Sequence, residues 1–255
     1  MAAPLLLINL DRSPERLAAM RQQLAGFGLA FERLPATDGA QTPPAVLAEY
    51  YSEMLNRRQY HKRLTPGEIA CYISHLRAWR LIVERNWAYA VVLEDDLELQ
   101  PAFPAALAAL ASLPPGWDLV KLASGRPKPV VSQLPLSPFA LVDYYKAPVL
   151  TGAQAVSRAA AEKLLRTRIP FGRPADVDLQ FPWETGIRVQ GLEPYTVSAR
   201  ADVPSTINSV APRQSVPSRT TAFLRQRLTF NLRLLRESLR THGPADTLRC
   251  LLRGR

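Results

Sequence analysis

The chain has 255 residues, 47% of them hydrophobic and 21% charged, which is ordinary globular material and not a disordered composition. Its 32 Lys and Arg against 22 Asp and Glu give a net charge of +10, yet residues 213–255 alone hold ten Arg and two acids, so a nearly balanced body carries a basic tail and a uniformly basic nucleic-acid-binding fold is not the first reading. No apolar run reaches the ~18 residues of a membrane-spanning helix, the opening Pro4–Leu10 lacks the basic flank of a signal peptide, and Cys71 and Cys250, far apart, suggest no disulfide framework and suit a reducing cytoplasm.

In chain order, Leu5–Leu10 is a continuous apolar run that reads as a buried strand. Ser13 as N-cap and Pro14 as first helical residue open a helix through Leu17, Met20, Leu24 and Phe27, stopped by Gly26–Gly28. A strand near Leu29–Leu34 completes a strand–helix–strand unit. Residues 37–62 are polar and read as a loop with helical fragments. Thr65-Pro66-Gly67-Glu68 is a capping box that opens a helix through Ile69, Tyr72, Ile73, Leu76, Trp79 and Val83. Ala88–Leu93 is a second buried strand, followed by one helix over Leu97–Leu113 and a strand over Asp118–Leu122. Ser124–Pro138 is rich in Pro, Gly and Ser and reads as a long loop. Regular structure resumes at Val149–Ala155, Ser157 caps a helix to about Arg166, Arg168–Pro182 is irregular, and Ile187–Val197 reads as a strand pair. The expected organisation is a body over 1–200, a Pro/Ser-rich linker over 201–218 and a helical tail over 219–255.

Glu94-Asp95-Asp96 follows the second buried strand directly. Ligands of open α/β sheets bind beyond the carboxyl ends of strands. Three carboxylates there repel one another and call for a positive charge, and a hard cation such as Mg²⁺ or Mn²⁺ suits their oxygens. It could bridge a pyrophosphate and stabilise a departing nucleoside diphosphate. The alternative is a solvated turn whose acids face the next helix dipole. His75 reads equally as a partly buried, hydrogen-bonded helix residue, Glu68 as a capping partner, and Trp79 as core.

Several segments in the right order resemble glycosyltransferase family 25, the lipooligosaccharide glycosyltransferases related to the collagen galactosyltransferases. Ile8-Asn9-Leu10-Asp11-Arg12 with Arg16 is similar to the family's opening I-N-L-x-R-x-x-x-R, and Ala36-Thr37-Asp38-Gly39 to its A-x-D-G turn. Leu64 to His75 resembles L-T-x-G-E-x-G-C-x-x-S-H, with Ala70 where Gly is usual. Val92 to Asp96 is similar to the E-D-D strand end; Gly152-Ala153 with Ser157-Arg158 and Ala161 to Leu164 resembles the G-x-x-A-Y-x-x-S-R region, with Val156 where Tyr is common; Pro174-Ala175-Asp176 resembles P-V-D. The resemblance covers roughly residues 5–198.

It implies a GT-A-like nucleotide-sugar-binding α/β fold with a mostly parallel central sheet, a UDP-sugar donor (UDP-galactose first), a divalent metal (Mn²⁺ or Mg²⁺) and inversion at the anomeric carbon. Asp96 and Glu94 would hold the metal. Asn9, Arg12, Arg16 and Asp38 would lie near the nucleotide, with Leu10, Gly39, Ser74, Glu94, Asp95, Lys121, Gly152 and Ala153 along the same site. Arg12 and Arg16 have a plainer alternative, local pairing with Asp11 and Glu15. The base that takes the acceptor proton is sought among Asp176, Asp178, His75 and Glu68, with Asp176 first; in an extended segment Asp176 and Asp178 would face one side. Val156 would sit on a wall of the acceptor pocket.

The tail sets Leu224, Leu228, Leu232, Leu235 and Leu239 among arginines. It reads as a basic amphipathic helix for an anionic membrane surface, which would suit a lipid-linked oligosaccharide acceptor on the cytoplasmic face of the inner membrane, with no nucleic acid as partner. The competing functions are a Mg²⁺-dependent phosphohydrolase and a non-enzymatic membrane- or nucleic-acid-binding adaptor on a degenerate transferase fold.

Overall fold

The computed structural model describes residues 3–200 and 220–253. Strand β1 (Leu5–Asn9) is buried along its whole length. Helix α1 (Pro14–Gly26) begins with proline at its first position; Ser13 precedes it but makes no capping hydrogen bond. Strand β2 (Glu32–Pro35) lies parallel to β1. The polar stretch that follows holds α2 (Pro44–Tyr50) and α3 (Glu53–Gln59). The capping box forms as the sequence predicts: Thr65 Oγ1 accepts from the Glu68 amide, and Glu68 accepts from the Thr65 amide. It starts α4 (Pro66–Glu84), whose residues Tyr72, Trp79 and Ile82 are fully buried.

Strand β3 (Tyr89–Glu94) returns to the other side of β1, again parallel. The expected long helix over Leu97–Leu113 is divided. Leu97-Glu98-Leu99, which alternates in–out–in, forms β4 (Leu97–Leu99), and only α5 (Phe103–Ala111) is helical. After β5 (Leu119–Lys121), the expected loop is partly a strand: β6 (Val130–Leu136) forms a hairpin with β7 (Phe139–Tyr144). β8 (Ala153–Ser157) leads into α6 (Arg158–Thr167), where Ser157 Oγ caps the Ala160 amide. Two short turns, α7 (Ala175–Asp178) and α8 (Pro182–Thr185), precede β9 (Val189–Glu193) and β10 (Val197–Ala199). These last two strands do not pair with each other as expected. β9 lies between β5 and β7, while β10 joins β4 in a separate two-stranded sheet.

The main sheet runs β2-β1-β3-β8-β5-β9-β7-β6. Only β8 and β7 oppose the other strands, so the expected mostly parallel α/β architecture holds. Alternate strand residues supply two cores. Leu6, Ile8, Val92 and Val156 face α4 and α6, and Leu5, Leu7, Val91 and Leu93 face α1 and α5. Val156 is thus a fully buried core residue and not a pocket wall.

The expected linker lies outside the described residues. The tail forms α9 (Thr220–Arg253), broken at Gly243, whose φ of 77° and ψ of 170° are non-helical, before Pro244. Ser238 and Thr247 hydrogen-bond at 2.8 Å. In one straight helix they would stand about 13 Å apart along the axis, so the two arms fold against each other. The first arm is seated on the body: Phe230 packs on Phe181 and Trp183 and beneath the Lys146 ammonium, and the Gln226 amide donates to the Arg58 carbonyl.

Candidate functional site

The sheet order creates the site. The chain leaves β1 for β2 on one side and later returns as β3 on the other. Their carboxyl ends, Asn9 and Glu94, therefore flank a topological switch point, where helical crossovers diverge and leave a crevice. A cleft opens there. It is lined by Asn9, Leu10, Arg12 and Arg16 from the β1–α1 connection, Asp38 and Gly39 from the turn after β2, Cys71, Ser74 and His75 from α4, and Glu94, Asp95 and Asp96. Residues 86 positions apart in sequence are thus set in one crevice.

Each wall is tied to its neighbour. The Asn9 amide donates to Asp95 Oδ2 (2.7 Å) and to the Ser13 carbonyl, while its oxygen accepts from Arg33 Nε. Arg16 Nη1 pairs with Asp95 Oδ1 at 3.1 Å, and Arg12 Nε with Asp38 Oδ2 at 2.7 Å. Both arginines reach across the crevice instead of pairing with Asp11 or Glu15; Asp11 is taken by Arg33. Asp38 also accepts from the Ala40 amide, an Asx turn. Ser74 Oγ donates to the Ala70 carbonyl and accepts from the Thr37 amide, so α4 holds the turn in place. Gly39 is required by close approach: a Cβ there would lie 2.4 Å from the Pro66 carbonyl oxygen.

The three acids differ. Asp95 is buried, hydrogen-bonded by the Asn9 amide and paired with the Arg16 guanidinium. Glu94 accepts from His75 Nε2 (2.9 Å) and Thr151 Oγ1 (2.6 Å). Burial opposes its charge, but these bonds and the positive surroundings of His75 and Lys121 outweigh it and hold its carboxyl below the usual range. Asp96 makes no ion pair among the described residues. Burial, then Glu94 and Asp95, push its carboxyl up to about 6, against the pull of Arg16. The switch point therefore holds unspent negative charge beside two arginines.

Behind Glu94 lies a second group that does not line the cleft. Lys121 is fully buried, donates to the Leu150 carbonyl, and is lowered to about 8 by burial, with Asp176 and Glu94 supporting its charge. The Leu150 amide points at Asp176 Oδ2 (3.4 Å). Leu150 has a φ of 94°, a conformation that costs a branched residue energy and clusters at functional sites. Glu94 N donates to the Gly152 carbonyl at 2.7 Å, and Ala153 pairs with Leu93, so 150–153 braces the acidic strand end.

The four base candidates part company. Asp176 is half-buried beside Lys121. Asp178 is 1% exposed. It accepts from Tyr72 (2.8 Å), Arg168 (3.0 Å) and Arg173 (2.8 Å), an ion network shared with Glu184. The segment is the helical turn α7 and not extended, so the two acids do not face one side. Glu68 serves the capping box, and His75 is committed to Glu94.

Asp96 and Glu94 are carboxylates of the type a hard divalent cation takes, and Asp96 has no ion-pair partner among the described residues. The potential ligand atoms that lie within 4.8 Å of one another are those of Cys71, His75 and Glu94, so Cys71 and His75 add two candidates to the Glu94 carboxylate and Asp96 stands outside that group. Burial, then Glu94, Asp176, Asp96 and Glu68, push the Cys71 thiol well up, so it is protonated when no cation is bound. Sequence reasoning did not single out Cys71, Thr151, Leu150 or Arg33 as site residues. Cys71 and Thr151 had a weak signal, one helical turn before His75 and one residue before Gly152; Leu150 and Arg33 had none.

Residues 2–124 match the model of glycosyltransferase family 25 (LPS biosynthesis protein). The chain is similar to a glycosyltransferase 25 family member of Aedes aegypti, 38% identical over 120 residues, 45% of this chain and 20% of that one. It is similar to procollagen galactosyltransferase 1-B of Xenopus laevis and to a probable inactive glycosyltransferase 25 family member 3 of Bos taurus, each 32% identical over 69% of this chain and 30% of the relative. The chain thus spans a fifth to a third of the length of these relatives. Among solved structures, a glycosyltransferase involved in glycosylation of the major capsid of PBCV-1 aligns over 82% of this chain and 99% of its own, with 11% identity and a TM-score of 0.43.

Proposed function

We propose, from the premise that residues 2–124 carry the glycosyltransferase family 25 sequence, that this protein transfers a hexose from a UDP-sugar to a glycan hydroxyl with inversion. One observation carries the reading: the cleft at the switch point sets the unpaired carboxylate of Asp96, next to Glu94, beside Arg12 and Arg16. A nucleoside diphosphate is recognised by arginines, but bare carboxylates would repel it. Asp96 and Glu94 are therefore read as holding Mn²⁺ or Mg²⁺. When bound, such an ion neutralises diphosphate charge and stabilises the departing UDP.

The chain's own residues do the rest. Arg12 and Arg16 orient the diphosphate, Asn9 and Asp95 keep Arg16 in register, and Asp38 and Gly39 form the wall that takes the nucleoside. Asp176 does not line the cleft but stands close enough to act on Lys121 and on the Cys71 thiol of the cleft wall; it is read as accepting the proton of the acceptor hydroxyl, whose oxygen bonds to the anomeric carbon as the carbon–diphosphate bond breaks and its electron pair leaves with UDP. Asp178 is already occupied by two arginines and a tyrosine, which is why Asp176 is preferred. Galactose is favoured because the Xenopus laevis relative is called a galactosyltransferase, and a lipooligosaccharide or lipopolysaccharide acceptor, lipid-linked and met at the cytoplasmic face of the inner membrane, because the family description refers to LPS biosynthesis. Relatives called inactive lie at the same identity, so activity rests on the site residues.

The test is calorimetric titration of UDP-galactose with Mn²⁺, with Mg²⁺ and with chelator, alongside transfer of labelled galactose to delipidated oligosaccharide. Ion-dependent binding and transfer, both lost in Asp96→Asn, are expected. Transfer that persists in chelator, or release of phosphate from a phosphorylated substrate with no glycan product, overturns the reading.

A further inference from the structure

The first arm of α9 has two faces of different fates. At about 100° per residue, Gln226, Phe230, Leu234 and Ser238 share one side. They are the positions that meet the body or the second arm: Phe230 on Phe181 and Trp183, Gln226 on Arg58, Leu234 and Ser238 buried. Leu224, Leu228, Leu232 and Leu239 fall within roughly 80° on the opposite side. The first three are 61%, 64% and 61% exposed, and no element among the described residues covers them. The second arm adds Leu248, Leu251 and Leu252, all exposed.

Soluble proteins scatter single apolar residues over their surfaces, but a leucine stripe at helical spacing is a contact surface. Its flanks say what it contacts. Arg225, Arg233, Arg236 and Arg240 line one side of the stripe and Arg227 the other, and all are exposed. Over residues 213–255 ten arginines face two acids, of which Glu237 pairs with Arg240 and Asp246 with Arg249. A second copy of this chain would bring one arginine-rich face against another. Duplex DNA would satisfy the arginines but leave the leucines wet. A surface that is anionic at the headgroups and apolar just beneath matches both.

We propose that α9 is an interfacial membrane helix, seated on the body through Phe230 and Gln226, whose outward leucines enter an anionic lipid leaflet while the flanking arginines meet the headgroups. This inference is independent of what the cleft catalyses.

Co-sedimentation of the full chain with phosphatidylglycerol–phosphatidylcholine vesicles, and with phosphatidylcholine alone, tests it. The expected result is binding to anionic vesicles that weakens in high salt. L224Q/L228Q/L232Q should reduce the bound fraction at least about tenfold. R225E/R233E/R236E should erase the preference for anionic over neutral lipid. All six positions are exposed, and unchanged melting temperatures verify folding; the salt series on the unaltered protein is a readout that needs no variant. Equal binding to both vesicle types, equal binding of the leucine variant, or absence of vesicle binding overturns the proposal. Concentration-dependent dimerisation without vesicle binding would assign the stripe to a second copy, and salt-sensitive DNA binding without vesicle binding would assign the arginines to nucleic acid; either also overturns it.

Discussion

Asp96 and Asp176 stand in different surroundings, and these predict separable defects. In the ion-free protein the Asp96 carboxyl sits at about 6, above an unfolded value near 3.9. The native state therefore binds the proton more tightly. That contribution to stability is complete below the unfolded value and is lost as pH rises through about 6. Melting curves in chelator should show the unaltered protein losing stability relative to Asp96→Asn between pH 4 and pH 7, and Mn²⁺ should restore it at pH 7; parallel curves for the two proteins would refute the buried, uncompensated charge. Asp176→Asn should cost about 10²–10⁴ in kcat, the range of a general base, with the melting temperature nearly unchanged. Asp178→Asn should instead destabilise the fold by about 3 kcal/mol, because Arg168 and Arg173 lose the carboxylate they share in a buried network. Steady-state kinetics beside thermal unfolding separate the two, and full turnover in Asp176→Asn would remove it as the base. Here the sequence was partly legible. Motif order pointed to Asn9, Arg12, Arg16, Asp38 and the 94–96 triplet. It did not reveal that Asp176 and Asp178 part, since in a helical turn two residues stand about 200° apart around the axis and Asp178 is the one turned inward.

At the level of elements, legibility followed the strength of local chemistry. The helix α4 was readable because Thr65 and Glu68 close a capping box and apolar residues recur at its spacing, and its rigidity sets Cys71, Ser74 and His75 on the cleft. The turn after β2 depends on it. A methyl group on Gly39 would meet the Pro66 carbonyl at 2.4 Å, and backbone cannot yield as a side chain does. Gly39→Ala should move the Asp38 turn off α4, weaken nucleotide-sugar binding and lower kcat/KM by up to about 10²-fold. Donor titration checks this, and unaltered affinity would show that the turn is not a binding wall. Elements stabilised by distant partners were the ones misread. β6 is half exposed and interrupted by Ser132, Gln133 and Pro135, and becomes a strand because β7 pairs with it. β4 is three residues long and exists through β10, about a hundred residues later. Residues 187–197 held two strands, but which neighbours they would take depended on the sheet around them.

For the molecule as a whole, the arithmetic of charge divides the chain into two parts. The sheet brings opposite charges together at the switch point within a nearly neutral body, while the excess lies on α9. What composition could not convey is that α9 is clasped by the body through Phe230 and Gln226 and is bent at Gly243 so that Ser238 meets Thr247. That bend has a mechanical consequence. A single cylinder resting on a plane is free to roll about its axis, and anything attached to it tips at will. Two arms that are not collinear define a base, like the feet of an easel. With leucines on both arms, the base would fix the tilt of the sheet to the surface beneath, and the mouth of the cleft would stand at one height above that surface rather than sweeping through many.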